Sequence, residues 1–289
     1  MSTPVISVAG LQELLASGEA VTLLDVRWAL GSTDGEKQYQ RGHIPGAVYV
    51  DLETELSAPA GPGTGRHPVP SAEDFQRSAR RWGITADTTV VAYDTTGNTA
   101  AARAWWLLRH AGFEAVYLLD GGLQAWHDAG LALQPGAVLP EPGKVELSWG
   151  KMPVVQMWDV PAVIQGGRLL DARARERYRG EREPVDPQAG HIPGAVSAPT
   201  AGNLTPGGLF RTPGELRGSF QALGVKPNEP LAVYCGSGVT AAHEVAALEL
   251  AGYRAALYPG SWSQWSSTKG SPVAKGQEPG QWPGAAQRR

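Results

Sequence analysis

Short apolar runs alternate with helix-period segments along the chain. In the first half, residues 22–26, 90–93 and 115–119 are apolar runs of strand length, and residues 11–16, 72–81 and 99–111 have the spacing of helices. In the second half, Leu231-Ala232-Val233-Tyr234 leads through Cys235-Gly236-Ser237-Gly238-Val239-Thr240 into an amphipathic segment closed by Gly252. That order predicts a strand, a glycine-rich loop and a helix. Alternation of this kind predicts an α/β fold, a parallel sheet with helices on both faces.

The pattern occurs twice. Leu23-Leu24-Asp25-Val26-Arg27 returns as Leu169-Leu170-Asp171-Ala172-Arg173, and Gly42-His43-Ile44-Pro45-Gly46-Ala47-Val48 returns letter for letter as residues 190–196. Val91-Ala92-Tyr93-Asp94 matches Ala232-Val233-Tyr234-Cys235, and Gly121-Gly122-Leu123-Gln124-Ala125-Trp126 matches residues 260–265. Each block recurs in the same order, roughly 140 to 150 positions further on, as a duplicated unit does. The expected organisation is a first domain at 1–134, a Pro/Gly-rich extended linker at 135–149, a second domain at 150–276 and a poorly ordered tail at 277–289.

The repeat separates scaffold from chemistry. His43 and His191 stand in blocks shared by both copies, as do Asp25 and Asp171, so all four are expected to be structural. The cysteine is not shared. Asp94 holds the slot that matches Cys235, and a carboxylate cannot carry sulfur, so the first copy is expected to be catalytically silent.

Composition narrows the function. The chain of 289 residues is long enough for two domains with cores of their own. A net charge of −3 offers no basic footprint for nucleic acid or an anionic membrane. Cys235 is the only cysteine, so no internal disulfide forms and nothing argues for an oxidising compartment. The first residues lack a basic region followed by an apolar one, and no segment has the length of a membrane span. The expected setting is the cytoplasm, with neither a nucleic-acid nor a membrane partner.

A thiol at a strand-to-helix loop invites nucleophilic chemistry. Inward-pointing N–H groups of such a loop, with the helix start behind them, favour an anionic sulfur. The bland alternative is a buried cysteine acting as a small hydrophobe. A cysteine phosphatase would need an arginine six residues after the cysteine, where this chain has Ala241, and its loop would be one residue longer. His243-Glu244 lacks the second histidine of a zinc-protease helix, and Gly63-Thr64-Gly65 is too short for a nucleotide fingerprint. No metal or organic cofactor is expected.

The loop 235–240, the doubled Gly-His-Ile-Pro-Gly-Ala block and residues 260–265 together resemble the tandem-domain rhodaneses, and among them the 3-mercaptopyruvate sulfurtransferase type. The resemblance covers nearly the whole chain. It implies two rhodanese domains, each a five-stranded parallel sheet flanked by helices. It also implies two-step sulfur transfer: Cys235 becomes a persulfide at the expense of a small-molecule donor, then yields the sulfur to cyanide, a small thiol or thioredoxin. By the same resemblance the loop is Cys235, Gly236, Ser237, Gly238, Val239 and Thr240. Ser237 is assisted by His67 and by an acid in the slot of Glu53, where the family more often has aspartate. Arg177 matches an arginine that binds the substrate carboxylate. A second such arginine is missing, because its place aligns with Val185, and Arg182 is the nearest substitute. Thiosulfate is the runner-up donor, and a non-catalytic rhodanese-like binding module is the rival of another class.

Overall fold

The computed structural model of the protein describes residues 3–283. They form two compact units that are not contiguous in sequence. The first comprises the chain up to Ala58, Val69–Met152 and Thr205–Phe210; the second comprises Pro59–Pro68, Pro153–Leu204 and the chain from Arg211.

The first unit holds five strands, β1 (Val5–Ile6), β2 (Val21–Asp25), β3 (Val48–Tyr49), β4 (Thr89–Tyr93) and β5 (Val116–Leu119). All pair in parallel, in the order β1-β5-β4-β2-β3, with Leu23 opposite Val91 and Val5 opposite Leu118. The central strands are the apolar runs read from the sequence. Helix Ala72–Arg81 falls where its periodicity put it. Ser71 caps its start by accepting the Asp74 N–H, acids stand in its first turn, and Arg80 and Arg81 stand in its last. Leu11, Leu23, Ile44, Val91, Tyr93 and Leu119 lie in one buried cluster.

The second unit repeats the plan with β6 (Arg168–Asp171), β7 (Val196–Ser197), β8 (Leu231–Tyr234) and β9 (Ala256–Leu257), in the order β7-β6-β8-β9. Here the expectation of five strands needs correction. The position corresponding to β1 is a single parallel bridge, Val154 to Leu257, so the sheet has four strands. Pro153, beside the bridge, has no N–H for a longer ladder. Helix Thr240–Leu250 is also buried more completely than an amphipathic segment would be, with Ala241 to Leu248 all inside. Its alanines allow close packing on both sides.

The expected extended linker and part of the expected poorly ordered tail are both tied to the fold. Residues 135–149 run without regular structure but are hydrogen-bonded to the first unit: Val138 N–H donates to Tyr39 Oη, Gly143 N–H to the Arg80 carbonyl and Ser148 N–H to the Ala111 carbonyl. At the other end, Gly194 N–H donates to the Pro279 carbonyl, and Trp282 packs edge-on against Trp265 at 6.0 Å. Residues 277–283 are therefore packed rather than loose, because a tryptophan finds an apolar surface there. The rest of the expected tail, 284–289, lies outside the described residues.

The duplicated blocks build the same corner twice. Arg27 grips Asp25 through Nε and Nη2 and reaches the Gly42 carbonyl at 2.6 Å; Arg173 does the same to Asp171 and reaches the Gly190 carbonyl at 2.7 Å. His43 stacks on Tyr39 and His191 on Tyr178, at 4.0 and 3.7 Å between ring centres. Tyr39 and Tyr178 then donate to the carbonyls of Ala47 and Ala195. In each copy the buried arginine is paired with the aspartate and also donates to one backbone carbonyl.

Candidate active site

Cys235 follows directly on β8, and the loop it begins is held from behind. The N–H groups of Trp262 and Ser263, in the first turn of helix Ser261–Ser267, donate to the carbonyls of Cys235 and Gly236 at 3.0 and 2.8 Å. Ser261, at φ 53°, accepts the Cys235 N–H on its Oγ at 3.1 Å and donates its own O–H to the Tyr258 carbonyl at 2.9 Å. With the carbonyls of Cys235 and Gly236 tied to this helix, the Gly238 N–H turns inward and donates to Cys235 Sγ at 3.2 Å. Gly238 manages this at φ 79°, a conformation that costs other residues strain. Helix Thr240–Leu250 starts two residues on. The thiol is buried, the residue being 3% exposed.

In the first unit the matching loop is arranged alike, with Leu123 N–H donating to the Asp94 carbonyl. The Asp94 carboxylate, however, occupies the cradle itself. It accepts the N–H groups of Thr96, Asn98, Ala100 and Ala101 at 2.7 to 3.0 Å. Burial pushes its carboxyl above the usual range, and these four donors oppose that rise. The cradle inferred for Cys235 is here seen turning four N–H groups onto one carboxyl group.

The segment Pro59–Pro68 belongs to the second unit, and it delivers two side chains to the loop. His67 is buried, and its Nδ1 lies 2.7 Å from Ser237 Oγ. Arg66 is anchored by its backbone N–H to Ser263 Oγ, and Gln264 Nε2 donates to the Gly63 carbonyl. The approach is close enough that a Cβ on Gly65 would stand 2.4 Å from the Gly260 carbonyl oxygen.

Above the loop lie two guanidinium groups. A Cβ on Gly236 would sit 3.1 Å from Arg66 Nη2 and 3.4 Å from Arg177 Nη1. One carboxylate bridges them: Asp186 Oδ1 is paired with Arg66 Nη1, and its Oδ2 takes Arg177 Nη2 at 3.1 Å. Glu183 takes the remaining side of Arg177, through Nε at 3.2 Å and Nη2 at 2.6 Å. Burial pushes the Asp186 carboxyl up, opposed by Arg66. Burial also raises Glu183, but the hydrogen bond from Arg177 and the Asp186 N–H outweigh it and hold the group below its usual range.

The structure thus brings Cys235, Gly236, Ser237, Gly238, His67 and Arg177 together, with Val239 and Thr240 closing the loop into its helix. Arg182 is exposed, and its side chain makes no hydrogen bond or ion pair among the described residues. Its neighbours explain this: Glu183 turns inward to Arg177, so residue 182 faces out. Glu53 lies in the first unit, where its Oε1 accepts Trp28 Nε1 at 2.7 Å. Arg66, Asp186 and Glu183 were missed from sequence. Arg66 is adjacent to His67, so bringing one to the loop brings the other.

A repeated parallel α/β unit, with a cysteine on a glycine-rich strand-to-helix loop in one copy only, defines a duplicated scaffold carrying one thiol site. The family called Rhodanese-like domain matches residues 7–129 and again 157–268, and the chain belongs to it. The chain is 45% identical over 274 residues to a Mycobacterium tuberculosis protein named "Putative thiosulfate sulfurtransferase SseB", covering 94% of this chain and 96% of that one. It is 37% identical over 260 residues to the human 3-mercaptopyruvate sulfurtransferase, covering 86% of each. The crystal structure of SseA from Escherichia coli, one of the 3-mercaptopyruvate sulfotransferases, matches with TM-score 0.79 at 35% identity, covering 91% of this chain and all of that one.

Proposed function

We propose that this chain is a sulfurtransferase that takes sulfur from 3-mercaptopyruvate onto Cys235 and passes it to a thiophilic acceptor. The observation that carries the reading is the 2.7 Å contact between Ser237 and His67, on a loop whose own residues carry no cation. A 2-oxo acid thiol asks for a proton route as its carbon–sulfur bond breaks, and this pair supplies one. Cys235 thiolate attacks the donor sulfur, forming a sulfur–sulfur bond. The carbon–sulfur bond breaks, its electrons pass to carbon as the enolate of pyruvate, and the thiol proton is delivered to that carbon through Ser237 and His67. The products are pyruvate and the persulfide anion, whose inner sulfur is the Cys235 Sγ that accepts the Gly238 N–H. Cyanide, a small thiol or reduced thioredoxin then attacks the outer sulfur and regenerates the thiolate. Arg177 beside Gly236 suits the donor's carboxylate, since guanidinium binds it bidentately.

The first unit, its cradle filled by Asp94, takes no sulfur in this reading. A cytoplasmic location belongs to the same proposal. Thiosulfate is the second reading, favoured by the similarity to the protein named as a thiosulfate sulfurtransferase. Side-by-side kcat/KM values for the two donors test the choice: 3-mercaptopyruvate is expected to be the better one, and a higher value for thiosulfate would reverse the assignment. Absence of a persulfide on Cys235 with either donor would instead indicate a binding module.

A further inference from the structure

We propose that Arg66 is the second carboxylate-binding guanidinium of this site, acting with Arg177 on the donor's carboxylate; this rests on the donor assignment above. Arg66 comes from a different segment than the vacancy at Val185 would suggest. Three observations point to it.

The first is position. Arg66 Nη2 and Arg177 Nη1 are the atoms nearest a Cβ built on Gly236, the residue after Cys235. The second is hydrogen-bond capacity. Arg66 spends Nη1 on Asp186, and Arg177 spends Nε and Nη2 on Glu183 and Asp186. Among the described residues no hydrogen bond involves Arg66 Nη2 or Arg177 Nη1, and Arg66 Nε is buried without a partner. The two groups turned to the loop are therefore the two whose donors are still open, and a carboxylate has two oxygens to accept them.

The third is charge. Two guanidinium groups side by side repel unless an anion lies between them, and Asp186 supplies it, one oxygen to each. Asp186 is a positioning residue: it fixes the pair from one side and leaves the opposite N–H groups to a ligand. With Glu183 the four charges cancel, so the site presents directed donors rather than a net field. That suits a planar monocarboxylate better than a dianion such as thiosulfate.

The test compares wild type, Arg66→Ala and Arg66→Lys with 3-mercaptopyruvate, with a mercaptoketone in which methyl replaces the carboxylate, and with pyruvate as inhibitor. Arg66→Ala should lose about ten- to a hundred-fold in kcat/KM for 3-mercaptopyruvate, chiefly through KM, as expected for a lost charge-assisted contact. The mercaptoketone should change by less than about twofold, pyruvate should inhibit the variant correspondingly more weakly, and lysine should restore only part, lacking the fork. A retained thermal midpoint excludes a folding defect. An equal loss with the mercaptoketone would make Arg66 structural and overturn the inference, as would an unchanged pyruvate inhibition constant. Failure of the donor assignment shows separately, in wild type alone, as a preference for thiosulfate.

Discussion

Replacing Gly238 by alanine tests the loop most directly. At φ 79° the residue lies in the left-handed region, where a side chain costs about 1–2 kcal/mol. The new Cβ would also fall 2.4 Å from the Pro259 carbonyl oxygen and 3.0 Å from its Cα. Those atoms are backbone and cannot rotate away, so the loop or residue 259 must shift, a further cost of about 1–3 kcal/mol by analogy with overpacking. Together Gly238→Ala should lower stability by about 2–5 kcal/mol. The same shift moves the Gly238 N–H off the sulfur it now meets at 3.2 Å. Removing one placed donor from a developing anion costs about 10²–10³ in rate.

Gly236→Ala is the built-in comparison. Its Cβ would meet only the ends of Arg66 and Arg177, which are flexible, so the fold should hold within about 1 kcal/mol while the KM of a carboxylate donor rises. Urea unfolding gives the stabilities, and stopped-flow persulfide formation followed by mass spectrometry gives the rates. A Gly238→Ala protein matching wild type in both midpoint and rate would refute the account of the cradle.

Four other outcomes are expected. Ser237→Ala should lose about a hundred-fold or more with 3-mercaptopyruvate, and less than tenfold with thiosulfate, whose reaction needs no proton on carbon; equal losses in a donor comparison would remove the relay. Asp94→Cys in a Cys235→Ser background should turn over no faster than Cys235→Ser alone, because one residue does not rebuild a loop in which Thr95 and Thr96 stand where the second copy has Gly236 and Ser237; recovered turnover would make both copies competent. Burial raises the Glu244 carboxyl to about 7, with Asn203 Nδ2 on its Oε2 at 2.6 Å, so the folded protein keeps a proton that the unfolded chain releases near 4.5. That stabilisation is complete below 4.5 and lost as pH rises through 7, so Glu244→Gln should gain about 2–3 kcal/mol on wild type between pH 5 and 8 in urea unfolding, and a flat difference would contradict the shift. Arg182→Ala should keep kcat/KM within about twofold for either donor, since an exposed charge away from the loop has little to lose; a tenfold loss would return it to the site.

Local pattern determined much of this protein. Apolar runs placed the central strands, the spacing placed helix Ala72–Arg81, and the doubled Asp-x-Arg and Gly-His-Ile-Pro blocks announced two copies of one corner. Cys235 and its glycines were legible because a thiol, a left-handed residue and a helix start must be adjacent in sequence to make the loop. What tertiary structure decided is of another kind. The missing fifth strand of the second sheet depends on how far a proline-flanked segment can pair, and the holding of residues 135–149 along the first unit depends on a surface they meet only in the fold. Arg66 stands 169 positions before Cys235, and its place beside His67 is the only local sign that it belongs to the site. It reaches the site because the second unit's compact fold includes Pro59–Pro68, and because Gly65 lets that segment approach the Gly260 carbonyl. Hydrogen bonds within a turn are written in neighbouring letters. The meeting of two guanidinium groups over one carboxylate is written only in the fold, since chain connectivity says nothing about which distant charges can be brought together.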